Sequence, residues 1–89
     1  MFRLWVREWK DQHLLKDLVV EDDSADTRTH KVLRCLKKAC AEFDLAEPIW
    51  LDSCIRDFQK HARTRFTQDA FIEQVDFDYL EIRVIEEDD

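Results

Sequence analysis

The 89-residue chain contains no glycine and no asparagine, where average usage would supply about six glycines. Loops that cradle phosphate need glycine, because their backbone must approach the phosphate closely or take a positive φ. A P-loop, a dinucleotide-binding fingerprint, a kinase-type loop and a nucleophile elbow are therefore excluded. Most nucleotide-dependent enzyme classes go with them. Proline occurs once, at Pro48. Cysteine occurs three times, at Cys35, Cys40 and Cys54, with no CxxC pair. An odd count of that kind suits reduced, buried thiols better than a disulfide framework. No apolar run approaches the ~20 residues needed to cross a membrane. The opening, MFRLWVREWKD, alternates charge with bulk where a signal peptide would be continuously apolar. These absences predict a cytoplasmic protein with no membrane association.

What is present can build a core. The chain is 45% hydrophobic with six Phe, three Trp and one Tyr, which places it on the globular side of the disorder boundary despite its charge. A chain of this length buries about two-thirds of its unfolded surface, enough for one domain over residues 1–89.

Periodicity predicts an α+β fold in the order β-β-α-α-β: a three-stranded antiparallel sheet, made of an N-terminal hairpin and a C-terminal strand, with two to three helices on one face. Residues 2–21 read as the hairpin, Phe2, Leu4 and Val6 alternating with Arg3, Trp5 and Arg7. A three-residue loop that pairs Trp9 with His13 sets Phe2 opposite Val20 and Leu4 opposite Leu18. A two-residue loop would set Val6 opposite Asp17 and Arg7 opposite Lys16, so the longer loop is expected. The polar stretch EDDSADT offers helix caps before a helix over about 27–43, which ends ahead of Pro48. A second helix is expected over about 52–63, capped by Asp52 or Ser53, then a short helical turn over about 67–73. The strand FDYLEIRVIE over about 77–86 precedes an acidic end, 86–89, expected to fray.

Two clusters are candidate contact sites. The run RDFQKHARTR places Arg56, Lys60 and Arg63 on one helical stripe opposite Phe58, with Arg65 just beyond. Such a stripe could hold a phosphate or an acidic partner. Charge distribution tempers that reading: residues 69–89 carry a net −8 and residues 1–66 a net +1, within a formal total of −7. A basic run followed by so acidic a segment is expected to be answered within its own chain, and nucleic acid, which needs uncompensated positive charge, is disfavoured. The second cluster is the sheet face turned away from the helices, with Trp5, Trp9, Leu15, Val19, Tyr79 and Ile85 flanked by Arg3, Arg7, Asp17 and Arg83. Aromatics rimmed by arginine have the composition of an interface. Either this face is buried by the segment around Trp50 or by residues 64–72, or it docks a partner.

Dedicated chemistry finds no footing. The loop acids Glu21, Asp22, Asp23 and Asp26 lack the glycine and spacing of a calcium loop, and no Cys/His quartet forms a zinc site. Cys54 and His61 fall two helical turns apart, too far for a direct hydrogen bond. No catalytic residue, metal or cofactor is expected.

From PIWL through RTRFTQD to FDYLEI the chain resembles a group of short bacterial proteins of unknown function. That resemblance implies no activity, cofactor or site residue. The residues themselves predict a non-enzymatic module that binds a protein partner or a second copy of itself as a homodimer. The alternatives are a phosphate or nucleic-acid binder through residues 56–65, and an acidic mimic of nucleic acid.

Overall fold

The computed structural model describes residues 1–87. Its elements are β1 (Phe2–Lys10), β2 (His13–Asp22), α1 (Arg28–Glu42), α2 (Asp52–His61), β3 (Arg63–Phe66), a 3-10 turn (Gln68–Ala70) and β4 (Tyr79–Glu86). The fold is α+β. Its sheet has four antiparallel strands, not three, in the order β2-β1-β4-β3.

The added strand is RTRF. Helix α2 stops at His61 because Ala62 turns into the left-handed region (φ 56°, ψ 27°), its N–H bonding to the Phe58 carbonyl at 2.8 Å. The next four residues alternate exposed Arg63, buried Thr64, exposed Arg65 and buried Phe66, pairing with Arg83, Ile82, Glu81 and Leu80 of β4. Arg63 therefore leaves the helical stripe assigned to it and joins the sheet.

The hairpin also differs from expectation. Asp11 and Gln12 form a two-residue turn with φ of 50° and 66°, the conformation whose twist matches that of paired strands. A bulge then adds Leu15 between the pairs Trp9–Leu14 and Glu8–Lys16. Beyond it Leu4 meets Val20 and Val6 meets Leu18. The bulge repairs the mismatch that a two-residue turn alone would create, and the apolar face stays coherent.

Helix α1 is capped by the Thr27 hydroxyl, which accepts from the His30 N–H at 3.3 Å. Helix α2 has no side-chain cap: Leu51 is its N-cap, and Asp52 lies inside the first turn. The expected helical turn over 67–73 shrinks to Gln68–Ala70, where the Thr67 hydroxyl bonds to the Asp69 carboxylate instead of capping. The Ile49 N–H donates to the Ala70 carbonyl at 2.7 Å. That bond ties the connector after Pro48 to the turn.

The core lies between one sheet face and the helices. Phe2, Leu4, Val6, Phe66, Leu80 and Ile82 meet Val32, Cys35, Leu36, Ala39 and Cys40 of α1 and Cys54 and Phe58 of α2. Trp50 packs edge-on against Phe58 and Phe66, with ring centroids 5.6 and 5.0 Å apart. Ala70 and Phe71 are buried in the same core. Neither Trp50 nor the 64–72 segment therefore covers the opposite face. Among the described residues no helix is long and apolar enough to cross a membrane.

Candidate functional site

Alternation along the strands puts Arg3, Trp5, Arg7 and Trp9 of β1 on the open face of the sheet. Their cross-strand partners there are Glu21, Val19, Asp17 and Leu14 on β2, and Glu86, Arg83, Glu81 and Tyr79 on β4. Arg63 and Arg65 continue two of these rows onto β3. Arg63 and Arg65 of the basic run thus share one surface with the Trp5 and Trp9 cluster.

Its centre is an ion pair under aromatic cover. Arg7 Nη2 lies 2.7 Å from Glu81 Oε1, with the two side chains only 15% and 11% exposed. The Arg7 guanidinium stacks 3.9 Å from the Trp5 ring centroid and 5.5 Å from that of Trp9. Trp9 Nε1–H donates to Glu81 Oε1 at 3.1 Å, and Trp5 Nε1–H donates to Asp17 Oδ2 at 3.3 Å. Arg7 Nε is buried and lacks a hydrogen-bond acceptor. Stacking of this kind contributes about 0.5–2 kcal/mol per contact, more where water is excluded. The aromatics lie half-buried over the pair, leaving Val19 and Leu14 exposed beside them at 43% and 44%.

The β3 side of the face is cationic. Arg65 stacks on Tyr79 at 4.7 Å and reaches Glu81 Oε2 at 3.8 Å, while remaining 62% exposed. Arg63 and Arg83 are exposed, stand directly opposite one another, and make no ion pair among the described residues. Like charges in that position repel, so an acidic group from outside would relieve them. The β2 margin carries Asp17 and Glu21 instead, Glu21 held by Arg3 at 2.9 Å, so the two margins of the face are opposite in charge, with the paired arginines and glutamates of β1 and β4 between them.

Two residues assigned to this face are bulge residues, and one of them leaves it. Leu15 is the bulge residue and lines a hollow on the helix side with Glu8, Lys16 and Phe43; Leu14 takes the place opposite Trp9. Ile85 is the extra residue of a second bulge, between the pairs Arg3–Glu86 and Leu4–Val84, and is 44% exposed. Arg56 and Lys60 stay on α2, exposed and without an ion pair among the described residues.

The acidic last quarter is answered chiefly by arginines outside the basic run. Arg3 holds Glu86 at 3.0 Å and Arg28 holds Glu87 at 2.5 Å. Among the described residues, Arg65 is the one member of the basic run that makes such a contact, with Glu81. In the loop after β2, Arg34 donates to Asp22 at 2.7 Å, to Ser24 at 2.9 Å and to Asp26 at 3.3 Å. Bonds from Arg34 and Ser24 hold the Asp22 carboxyl far below the usual range, and His30 and Thr27 lower that of Asp26. These acids clamp the loop to α1.

The thiols are core groups. Burial pushes the Cys40 thiol up to about 12 and raises that of Cys35, so both stay protonated and weakly nucleophilic at neutral pH. Cys54 donates to the Arg65 carbonyl at 3.6 Å.

Fold and site together define a two-layer α+β protein with one sheet face left open and polarised in charge. No family model, curated protein or solved structure matches the chain.

Proposed function

We propose that the protein is a non-enzymatic association module whose partner is a second copy of itself, bound through the open face of the sheet. The observation that carries this reading is the opposite charge of the two margins of the face, Asp17 and Glu21 on β2 against Arg63, Arg65 and Arg83 on β3 and β4. A two-fold axis lying between two stacked faces and parallel to the strands lays the acidic edge of one copy over the basic edge of the other, twice. An isologous contact of this type is self-complementary. The unpaired Arg63 and Arg83 gain carboxylates, and Trp5 and Val19 lose water. Three strands about 30 Å long and the short β3, about 4.8 Å apart, present roughly 500 Å2 of projected area per copy, just below the ~600 Å2 per partner at the lower end of specific interfaces. The dimer is accordingly reversible.

Light scattering of the purified protein at about 0.5 mM, well above a micromolar dissociation constant, tests this. Twice the monomer mass is expected for the wild type, and the monomer mass for Trp5→Glu. A monomeric wild type would end the proposal.

A second reading rests on the same Arg63–Arg83 pair: a polyanion bound along the β3 edge. It predicts salt-sensitive retention on a polyanion column at ~50 mM salt, where such binding is strong. Free passage of the wild type removes this alternative.

A further inference from the structure

On the opposite side of the molecule a cleft opens between the two helices. Val32 and Phe58 form its floor and Trp50 one wall, while Leu33 and Ile55 stand at the mouth, 44% and 38% exposed. Its volume is about 300 Å3, at the lower end of the range for small-molecule pockets. Among the described residues, Arg28 is the one charged group in the lining. Its guanidinium lies 5.3 Å from the Phe58 ring centroid, which holds the charge over the apolar floor. The carboxylate of Glu87, one residue past β4, already rests on Arg28 Nε at 2.5 Å, with the two side chains 44% and 49% exposed.

We propose that this cleft binds a small amphiphilic monoanion, a medium-chain carboxylate, whose apolar chain lies along Val32, Leu33, Trp50 and Phe58 and whose headgroup displaces Glu87 from Arg28. The chain's own carboxylate marks where the headgroup sits. Half-exposed ion pairs contribute little to stability and exchange readily, so Glu87 acts as a weak internal competitor. An apolar body with one anionic end matches a cleft whose lining, among the described residues, holds one cation and no acid. Nucleic acid and polyanions do not fit so narrow an apolar slot. This site is independent of the open sheet face and of any dimer formed there.

The test is calorimetric titration with octanoate, alongside the indole N–H signal of Trp50 in amide correlation spectra, which also report that each variant is folded. Octanoate is expected to bind and shift the Trp50 signal. Arg28→Gln is expected to weaken binding about fivefold and Glu87→Gln to tighten it about twofold, the scale of a part-exposed ion pair. Uncharged 1-octanol should bind about fivefold more weakly than octanoate, for the same reason. A Trp50 signal unmoved by millimolar octanoate would overturn the proposal. So would equal affinity of octanoate for Arg28→Gln and wild type, equal affinity of the wild type for octanol and octanoate, or unchanged binding in Glu87→Gln.

Discussion

Ala62 sits in a conformation that costs an ordinary L-residue about 1–2 kcal/mol, because a chain without glycine must still end helix α2 and start β3. Among the described residues four carry positive φ: Asp11, Gln12, Asp44 and Ala62. Aspartate tolerates this region through local hydrogen bonds, but alanine has no such compensation. Ala62→Gly is expected to stabilise the protein by about 1 kcal/mol and raise Tm by about 4–8 °C in a thermal melt. Glu8 shows the opposite kind of strain. It is 5% exposed, and burial raises its carboxyl while Lys16 partly offsets the effect. The folded state therefore keeps this proton to higher pH than the unfolded chain, and stability falls as pH rises between the two pKa values. Glu8→Gln is expected to raise the urea midpoint at pH 7 and to lose that gain below pH ~4, near the unfolded pKa. Asp22 has the reverse sign: its carboxyl is depressed, so what it contributes above pH ~4 is lost on acidification. An acid titration of Arg34→Gln should accordingly show a smaller loss of stability than wild type as pH falls below ~4. None of these φ values was legible in the sequence, because the usual marker, glycine, is missing.

Spacing was enough to read α1: Val32, Leu33, Leu36, Ala39, Cys40 and Phe43 repeat at helical intervals, and Val32, Leu36, Ala39 and Cys40 are buried, whereas Leu33 is exposed and Phe43 half-buried. Strand β3 escaped because Arg63 also fits the helical stripe of Arg56 and Lys60, and only the alternation within RTRF marks a strand. The hairpin shows a different limit. The expected register and the observed one differ by two residues, and a shift of two leaves every side chain on the same face. Patterning could therefore divide the faces correctly for Trp5, Trp9 and Val19 while mispairing the strands. The bulge at Leu15 moved that one side chain across. The central ion pair could not be read at all, since Arg7 lies at the start of the chain and Glu81 at its end, as do Trp9 and Glu81, 72 residues apart. Its chemistry sets a clear expectation: Glu81→Ala strands the buried Arg7 charge and is expected to cost about 3 kcal/mol or more in chemical denaturation, whereas Arg7→Leu with Glu81→Leu together should cost less than that single change.

Across the whole molecule, positive and negative charge are sorted by position more than by sequence segment. The net −8 of residues 69–89 looked set to neutralise the basic run. The fold instead answers Glu86 with Arg3, and Glu87 with Arg28. Arg63 and Arg83 are left facing each other at one margin of the open sheet, with Asp17 and Glu21 at the other. Self-association through those opposite margins is the central claim, and paired charge reversal tests it most directly. Asp17→Arg with Glu21→Arg makes both margins basic; Arg63→Glu with Arg83→Glu makes both acidic. Sedimentation of each variant alone is expected to give monomer, and an equimolar mixture is expected to give a one-to-one heterodimer. A mixture that stays monomeric, or either variant remaining dimeric alone, would contradict the account.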